Sequence, residues 1–430
     1  MMIKRNQIAA TIGLMLILAA VVPLSADDFR FTGFVDHYIG IEPAEGTENL
    51  RTRIFMEPWF SGSVGDSGIK WTLSAKTWVQ PVGEPEAISP ADILDEAWLF
   101  MPIGPFDLSL GQKLTGYGFA DVFGPLNVVH GGNSTLLSLD DAYDSSLPVP
   151  MIQLQFYPSF ESSIDLVYVP LTRPDCEQIN PVYLSSTQDT IVWNTDSYIL
   201  DNPHSIFINY QYYGEKADFQ LFYGWYTDQA PDFIVETIDS AVPSEITTVY
   251  NKAQTFGAAY SIRLGNGTFS QDAAFKWTTD FAGTDIGARN SELTLNTQWL
   301  VNLPGDILSQ YSLVYSYFFN HGNHATGSDP EAATYIAEAV QDFHTQPLQH
   351  IAFIVAHFER SFLREKMKAQ LNVAYFFSPE MYFAPRLSYA MTDNWTLETG
   401  ADINLGDPSD AALRRNPNND NVYLRLAFRY

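Results

Sequence analysis

Cysteine and basic residues are scarce in this chain. A single cysteine, Cys176, stands among 430 residues, so there is no disulfide framework and no cysteine-rich metal motif. Lys and Arg number 23 against 50 Asp and Glu, a formal net charge of −27 that argues against nucleic acid as a partner. After the first residues no apolar run reaches the length of a membrane helix. A nucleophile elbow, a metalloprotease helix and a phosphate loop are all missing. The nearest acid–base pair is Asp36-His37, and neighbours on a strand point to opposite faces, so the two cannot share a site without a bulge. His321, His324 and His344 share a stretch with Asp329, Glu331 and Asp342, at a spacing that matches no metal motif. That stretch reads as a hydrophilic loop, and no enzyme, metal or cofactor is expected.

What is present is a leader and a long series of alternating segments. Residues 1–26 have the form of a secretory signal peptide: Lys4 and Arg5, an apolar run from Ile12 to Val22, and a small-residue end at Ser25-Ala26. The remainder, 27–430, shows no linker and no second domain. Aromatic residues make up 14% of the chain, which a soluble all-β protein could match, so the arrangement has to decide. In the last ten residues, Val422, Leu424, Leu426, Phe428 and Tyr430 fall on one face and Tyr423, Arg425, Ala427 and Arg429 on the other. That period of two marks a strand with one apolar and one polar side. From Ile69 to Gln80 the same alternation puts Lys70, Thr72, Ser74, Lys76 and Trp78 on one face. Two lysines there are costly against lipid and natural in a water-filled lumen.

Such segments recur along the chain, joined alternately by short Gly-, Asn- or Pro-rich turns and by longer acidic connections. This pattern predicts a transmembrane antiparallel up-and-down β-barrel of about 18 strands, with 16 as the alternative count. The closing strand Asn421–Tyr430 resembles that of bacterial outer-membrane barrels, which implies outer-membrane lipid and the barrel-assembly machinery as partners. Both termini are expected on the periplasmic side. Trp59, Trp225, Trp299 and Trp395 are expected to anchor the membrane interfaces. Trp78 is the exception, since it falls inward. The segment from Glu331 to Phe343 has the composition of a short helix.

On this register Arg51, Arg53, Lys70, Lys76, Lys113, Lys368, Arg386 and Arg425 point inward, with Glu57, Glu96, Asp165, Glu398 and Asp402. They form either a basic wall that sets selectivity or a neutralised lattice that fills the barrel. The connection 114–147 holds no Lys or Arg and carries Tyr117, Asp121, Asp140, Asp141 and Asp144. It is the third outward loop, which in porins folds inside and narrows the channel. Its acids would then oppose the basic wall; an external or plugging loop is the alternative. Glu42, Glu45, Glu48, Glu84, Glu86 and Asp92 read as solvated surface charge, since no calcium-loop spacing is present.

The run Leu110-Gly111-Gln112-Lys113, Gly116-Tyr117-Gly118, Asp121, Pro125 and Asn127 resembles a poorly characterised family of porin-like outer-membrane barrels. Pro148-Val149-Pro150, Val167-Tyr168-Val169-Pro170, Asn202-Pro203 and Tyr223-Gly224-Trp225 through Pro231 follow in the order of that family. Tyr117 stands where the family often has Trp. The resemblance implies a porin-like barrel, monomeric or oligomeric, without a proven substrate. The functional expectation is passive diffusion of small hydrophilic solutes. A substrate-specific channel for a sugar, peptide or hydrophobic compound is the first alternative, marked by inward aromatics such as Phe55, Trp78 and Trp98. A non-conducting adhesin or structural barrel is the second.

Overall fold

The structure is a computed structural model that describes residues 28–40, 50–82, 86–87, 93–120, 123–132, 146–173, 191–200, 202–235, 244–285, 287–321, 348–377, 380–405 and 421–430. Eighteen staves form one closed antiparallel barrel. The first five are β1 (Asp28–Gly40), β2 (Leu50–Ser63), β3 (Lys70–Ala75 continued by Thr77–Val82), β4 (Leu94–Ile103) and β5 (Phe106–Lys113). After a long connection come β6 (Val149–Ser159), β7 (Ser162–Val169), β8 (Ser205–Tyr213), β9 (Ala217–Thr227), β10 (Lys252–Leu264) and β11 (Gly267–Trp277). The remainder are β12 (Glu292–Leu303), β13 (Ile307–Phe318), β14 (His350–Phe362), β15 (Met367–Phe376), β16 (Glu380–Ala390), β17 (Trp395–Leu405) and β18 (Asn421–Arg429).

Each strand pairs with its sequence neighbours, and β1 pairs with β18 over Thr32–Gly40 to close the ring. Beyond that ladder, Phe31 and Tyr430 exchange backbone bonds of 2.9 Å in both directions. The outer surface of a closed barrel therefore presents no strand edge, which is the condition for spanning a bilayer with strands. Eight short turns lie at one end, which also holds the start of β1 and the finish of β18. The long connections lie at the other.

Alternation decides which side chains meet the bilayer. Leu221, Leu313 and Leu424 are between 45% and 48% exposed, while their neighbours Gln220, Ser312 and Tyr423 are almost wholly buried. Rings cluster on the outside near both ends. Trp395 packs on Phe428 at the short-turn end, and Trp277 packs on Phe281 at the long-loop end. Lys252 sits over Trp225 at 4.2 Å, a cation held where aromatic rings line the membrane surface.

The long connections depart from the sequence reading. The connections between β7 and β8 and between β9 and β10, expected only as long acidic loops, contain strands Ile191–Leu200, Asp232–Val235 and Ser244–Tyr250 in a separate three-stranded sheet. Ile191–Leu200 runs parallel to Ser244–Tyr250, a long-range pairing that no local pattern announces. Thr248 to Tyr250 belong to this outer sheet, and the chain turns into β10 at Asn251. The leader 1–26, Glu331 to Phe343, His324 and His344 lie outside the described residues.

Replacing Leu313 by Arg should cost about 2–4 kcal/mol of barrel stability in urea titrations from liposomes. The same change at inward Gln310 should cost less than about 1 kcal/mol. Equal losses at both positions would contradict the assignment of faces.

Candidate functional site

The connection after β5 turns into the barrel. Gly118, Phe119 and Ala120 present consecutive N–H groups to the inner wall. Gly118 donates to Gln220 Oε1 of β9 at 2.9 Å. Phe119 donates to Asp272 of β11 at 3.0 and 3.2 Å, and Ala120 to the same carboxylate at 3.2 Å. A run of backbone N–H groups converging on one anion forms a cradle, and bonds to an ionised acceptor contribute about 1.5–3 kcal/mol each. Asp272 exposes none of its surface. Gly118 has φ +101°, and a Cβ there would lie 2.2 Å from Asp272 Oδ2, so glycine is required.

Apolar packing continues the anchorage. Tyr117, Leu126 and Val129 join a buried cluster with Val149 and Met151 of β6, Val167 and Val169 of β7, and Phe207 of β8. Phe222 and Tyr226 of β9, Ala253 and Ala259 of β10 and Ala274 of β11 complete it. Leu126 is fully buried over Gly257 of β10, where a Cβ would meet its Cδ2 at 2.1 Å. Gln229, just past β9, donates to the Val128 carbonyl at 2.9 Å. Inside the loop the Thr115 N–H donates to His130 Nε2 at 2.6 Å. The Thr115 carbonyl lies 2.6 Å from the same nitrogen, and burial pushes the His130 imidazole down to about 4, so the ring is neutral at neutral pH. Farther along, Asn296 of β12 donates to the Phe123 carbonyl at 3.2 Å, and the Phe123 ring meets Phe353 of β14. The described part of the loop thus lies along the inner wall from β6 to β12 and touches β14.

Tyr117 belongs to that underside: it is 8% exposed and packs against Phe222, and burial raises its phenol. The other loop residues singled out from sequence, Asp121, Asp140, Asp141 and Asp144, lie outside the described residues, as do the side chains of Arg51, Arg53 and Trp78.

The uncovered part of the wall carries the other candidates. Lys76, 8% exposed, holds its ammonium 5.8 Å from the Phe55 ring, and Phe55 stacks on Phe34. Lys113 lies over Trp98 at 5.1 Å and donates to Gln153 at 2.9 Å, which in turn donates to Asp165 at 3.3 Å. Glu96 accepts the Leu114 N–H at 2.9 Å, just where the loop departs. Lys368 pairs with Glu359 at 3.2 Å. Arg425 pairs with Glu398 at 3.6 Å and lies over Phe34 at 4.6 Å, while Arg386 and Arg425 both approach Tyr423. Tyr423 also donates to Glu398, and Tyr382 to Asp402. Lys70 is exposed near the short-turn end, and Glu57 pairs in register with Thr32. Lys76, Lys113, Lys368, Arg386 and Arg425 therefore rest on rings, beside carboxylates, or both.

Above the loop lies a polar cluster at the long-loop end. Lys276 bonds Asp228. Asp232 is 4% exposed and accepts from the Arg289 N–H at 2.8 Å and from Asn251 at 2.7 Å. Burial pushes Asp232 up to about 6; Asp228 adds to the rise, while Arg289 and Asn251 oppose it.

Sequence reasoning missed Asp272, Gln220 and Asn296, which bond the loop backbone, and Phe123, whose ring meets Phe353. A signal was available: Val149, Met151, Val167, Val169 and Phe207 are apolar at inward positions, beside apolar outward neighbours. Strands apolar on both faces are covered on both faces.

Removing the Asp272 carboxylate, as Asp272→Ala, should loosen the loop by about 3 kcal/mol and speed protease cleavage within it, with the barrel intact. Unchanged cleavage would show that the cradle does not hold the loop. For Asp232 the folded-state pKa lies above the unfolded one. Its contribution is therefore full below about pH 4 and is lost as pH rises through about 6. Hydrogen exchange around 232–235 should accordingly be slower at pH 5 than at pH 8, after correction for intrinsic rates, and Asp232→Asn should abolish the difference.

No family model matches the sequence, and no curated protein matches it. Among solved structures, OccK5 (OpdH) of Pseudomonas aeruginosa aligns with a TM-score of 0.52 at 10% identity, covering 94% of this chain and 98% of that one. OccK11 (OpdR) of the same organism aligns at 0.49 and 10% identity, covering 93% and 94%. A mutant of the Rhodopseudomonas blastica porin reaches 0.42 at 11% identity, covering 94% and 99%. At such identities it is the fold that is alike, and the likeness to OccK5 extends over nearly the whole length of both chains.

Proposed function

We propose that this barrel is a porin-type outer-membrane channel for passive diffusion of small hydrophilic solutes, narrowed by the loop that follows β5. The observation that carries this reading is the docking of residues 114–120 and 123–132 against the inner wall. The loop covers an apolar part of the wall. The uncovered part bears Lys76, Lys113, Lys368, Arg386 and Arg425, accompanied by Glu57, Glu96, Glu359, Glu398 and Asp402. A passage bounded by such a surface is polar, and its field arises from paired rather than single-sign charge. In this reading the short-turn end, with both ends of the barrel chain, is periplasmic. The exposed ring of Tyr430 closes the strand offered to the assembly machinery.

Single-channel recording of the refolded protein in planar bilayers tests the proposal. Steady openings are expected, with a reversal potential close to zero under a salt gradient because the described wall charges are matched. Replacing Arg386 and Arg425 by Gln together should shift the reversal potential toward cation preference. A silent protein, folded by circular dichroism, would refute the channel.

A further inference from the structure

Phe123 differs from the other rings of the loop. Tyr117 is packed away beneath it, whereas Phe123 remains 46% exposed inside the barrel. Its backbone has φ +54°, an uncommon conformation for a bulky aromatic residue. Two contacts hold it there. Asn296, fully buried, donates to its carbonyl at 3.2 Å, and its ring meets Phe353 edge-on, with centroids 5.1 Å apart and planes at 80°. Phe353 in turn packs on Phe376 of β15 at 5.1 Å. Phe353 pairs in register with Val314, which is buried on the inner side, so the rings of β14 and β15 also face inward. Three elements thus bring three phenyl rings to one place toward the long-loop end.

Anchoring the loop does not account for this arrangement. The Asp272 cradle and the cluster around Leu126 already dock it, and a ring used only for docking would be buried as Tyr117 is. A strained backbone that keeps half of an aromatic ring in an aqueous passage is what a binding site requires. The open face of Phe123 and the edge beside Phe353 suit a further flat ring, since aromatic groups prefer edge-on or offset contacts at about 4.5–7 Å.

We infer that Phe123, Phe353 and Phe376 form a weak site for solutes that carry an aromatic ring. Such solutes cross the barrel by a binding step at the loop, not by free diffusion alone. The inference rests on the channel reading and names a class of solute that the channel favours. A weak site suits transport, because a bound solute must also leave.

The test compares zwitterions that differ in their side chain. L-phenylalanine, L-leucine and L-serine are added in turn to single channels of the refolded protein in planar bilayers. Phenylalanine should interrupt the current for longer than leucine, and serine least. Phe123→Leu and, separately, Phe353→Leu should shorten the phenylalanine interruptions about tenfold and leave those of leucine unchanged. A conducting channel blocked equally by phenylalanine and leucine overturns the site and leaves the channel standing. Unaltered interruptions in both variants, or a rise in open conductance alone, would show Phe123 to be a pin for the loop and overturn the site. The absence of any openings removes the channel reading and the site together.

Discussion

The pairing of the first strand with the last governs everything else in this molecule. Within a bilayer there is no water to satisfy an open edge, so a sheet spans it only when the ladder returns to its start. Here the return is made by β1 and β18 and continued by Phe31 and Tyr430. Closure creates an inside and an outside, and the two-residue period of each strand then sorts side chains between them. The outward leucines and the terminal ring clusters have meaning only in that frame.

Closure also creates a problem of space. A barrel of this size encloses more room than its inward side chains alone fill. This chain meets the problem unevenly. Between β6 and β11 the inner wall carries an apolar patch covered by the loop, which is held by a carboxylate in a cradle of N–H groups and by Leu126 over Gly257. The remaining wall keeps its charges and sets them against rings and carboxylates. The polar cluster of Asp228, Asp232 and Lys276 lies close by, and Gln229 ties that region to the loop through the Val128 carbonyl.

Much of the barrel could be read from the chain because a strand at a lipid surface carries its address in every second residue. The eighteen staves and the alternation of short turns with long connections follow from that local rule. The outer sheet did not, because the parallel pairing of Ile191–Leu200 with Ser244–Tyr250 joins segments far apart in the chain. The candidate site was legible only in part. Loop 114–147 stood out by its length and its lack of bases. Its fastening did not, because Asp272 is an ordinary acid in β11 until a backbone arrives to meet it. The inward bases were read as either a basic wall or a neutralised lattice, and the rings under Lys76 and Lys113, Phe55 and Trp98, were not foreseen, because such contacts depend on tilt and stagger between strands.

The two-faced apolar character of β6 to β9 has a consequence for the order of assembly. These strands cannot face water on either side without exposing greasy surface, so their inner face needs its cover as they form. That cover lies immediately before them in the chain. The loop is therefore in a position to act as an internal template on which the following hairpins condense. The barrel would then be built around its own inner loop, and that loop would not be threaded in after the ring had shut.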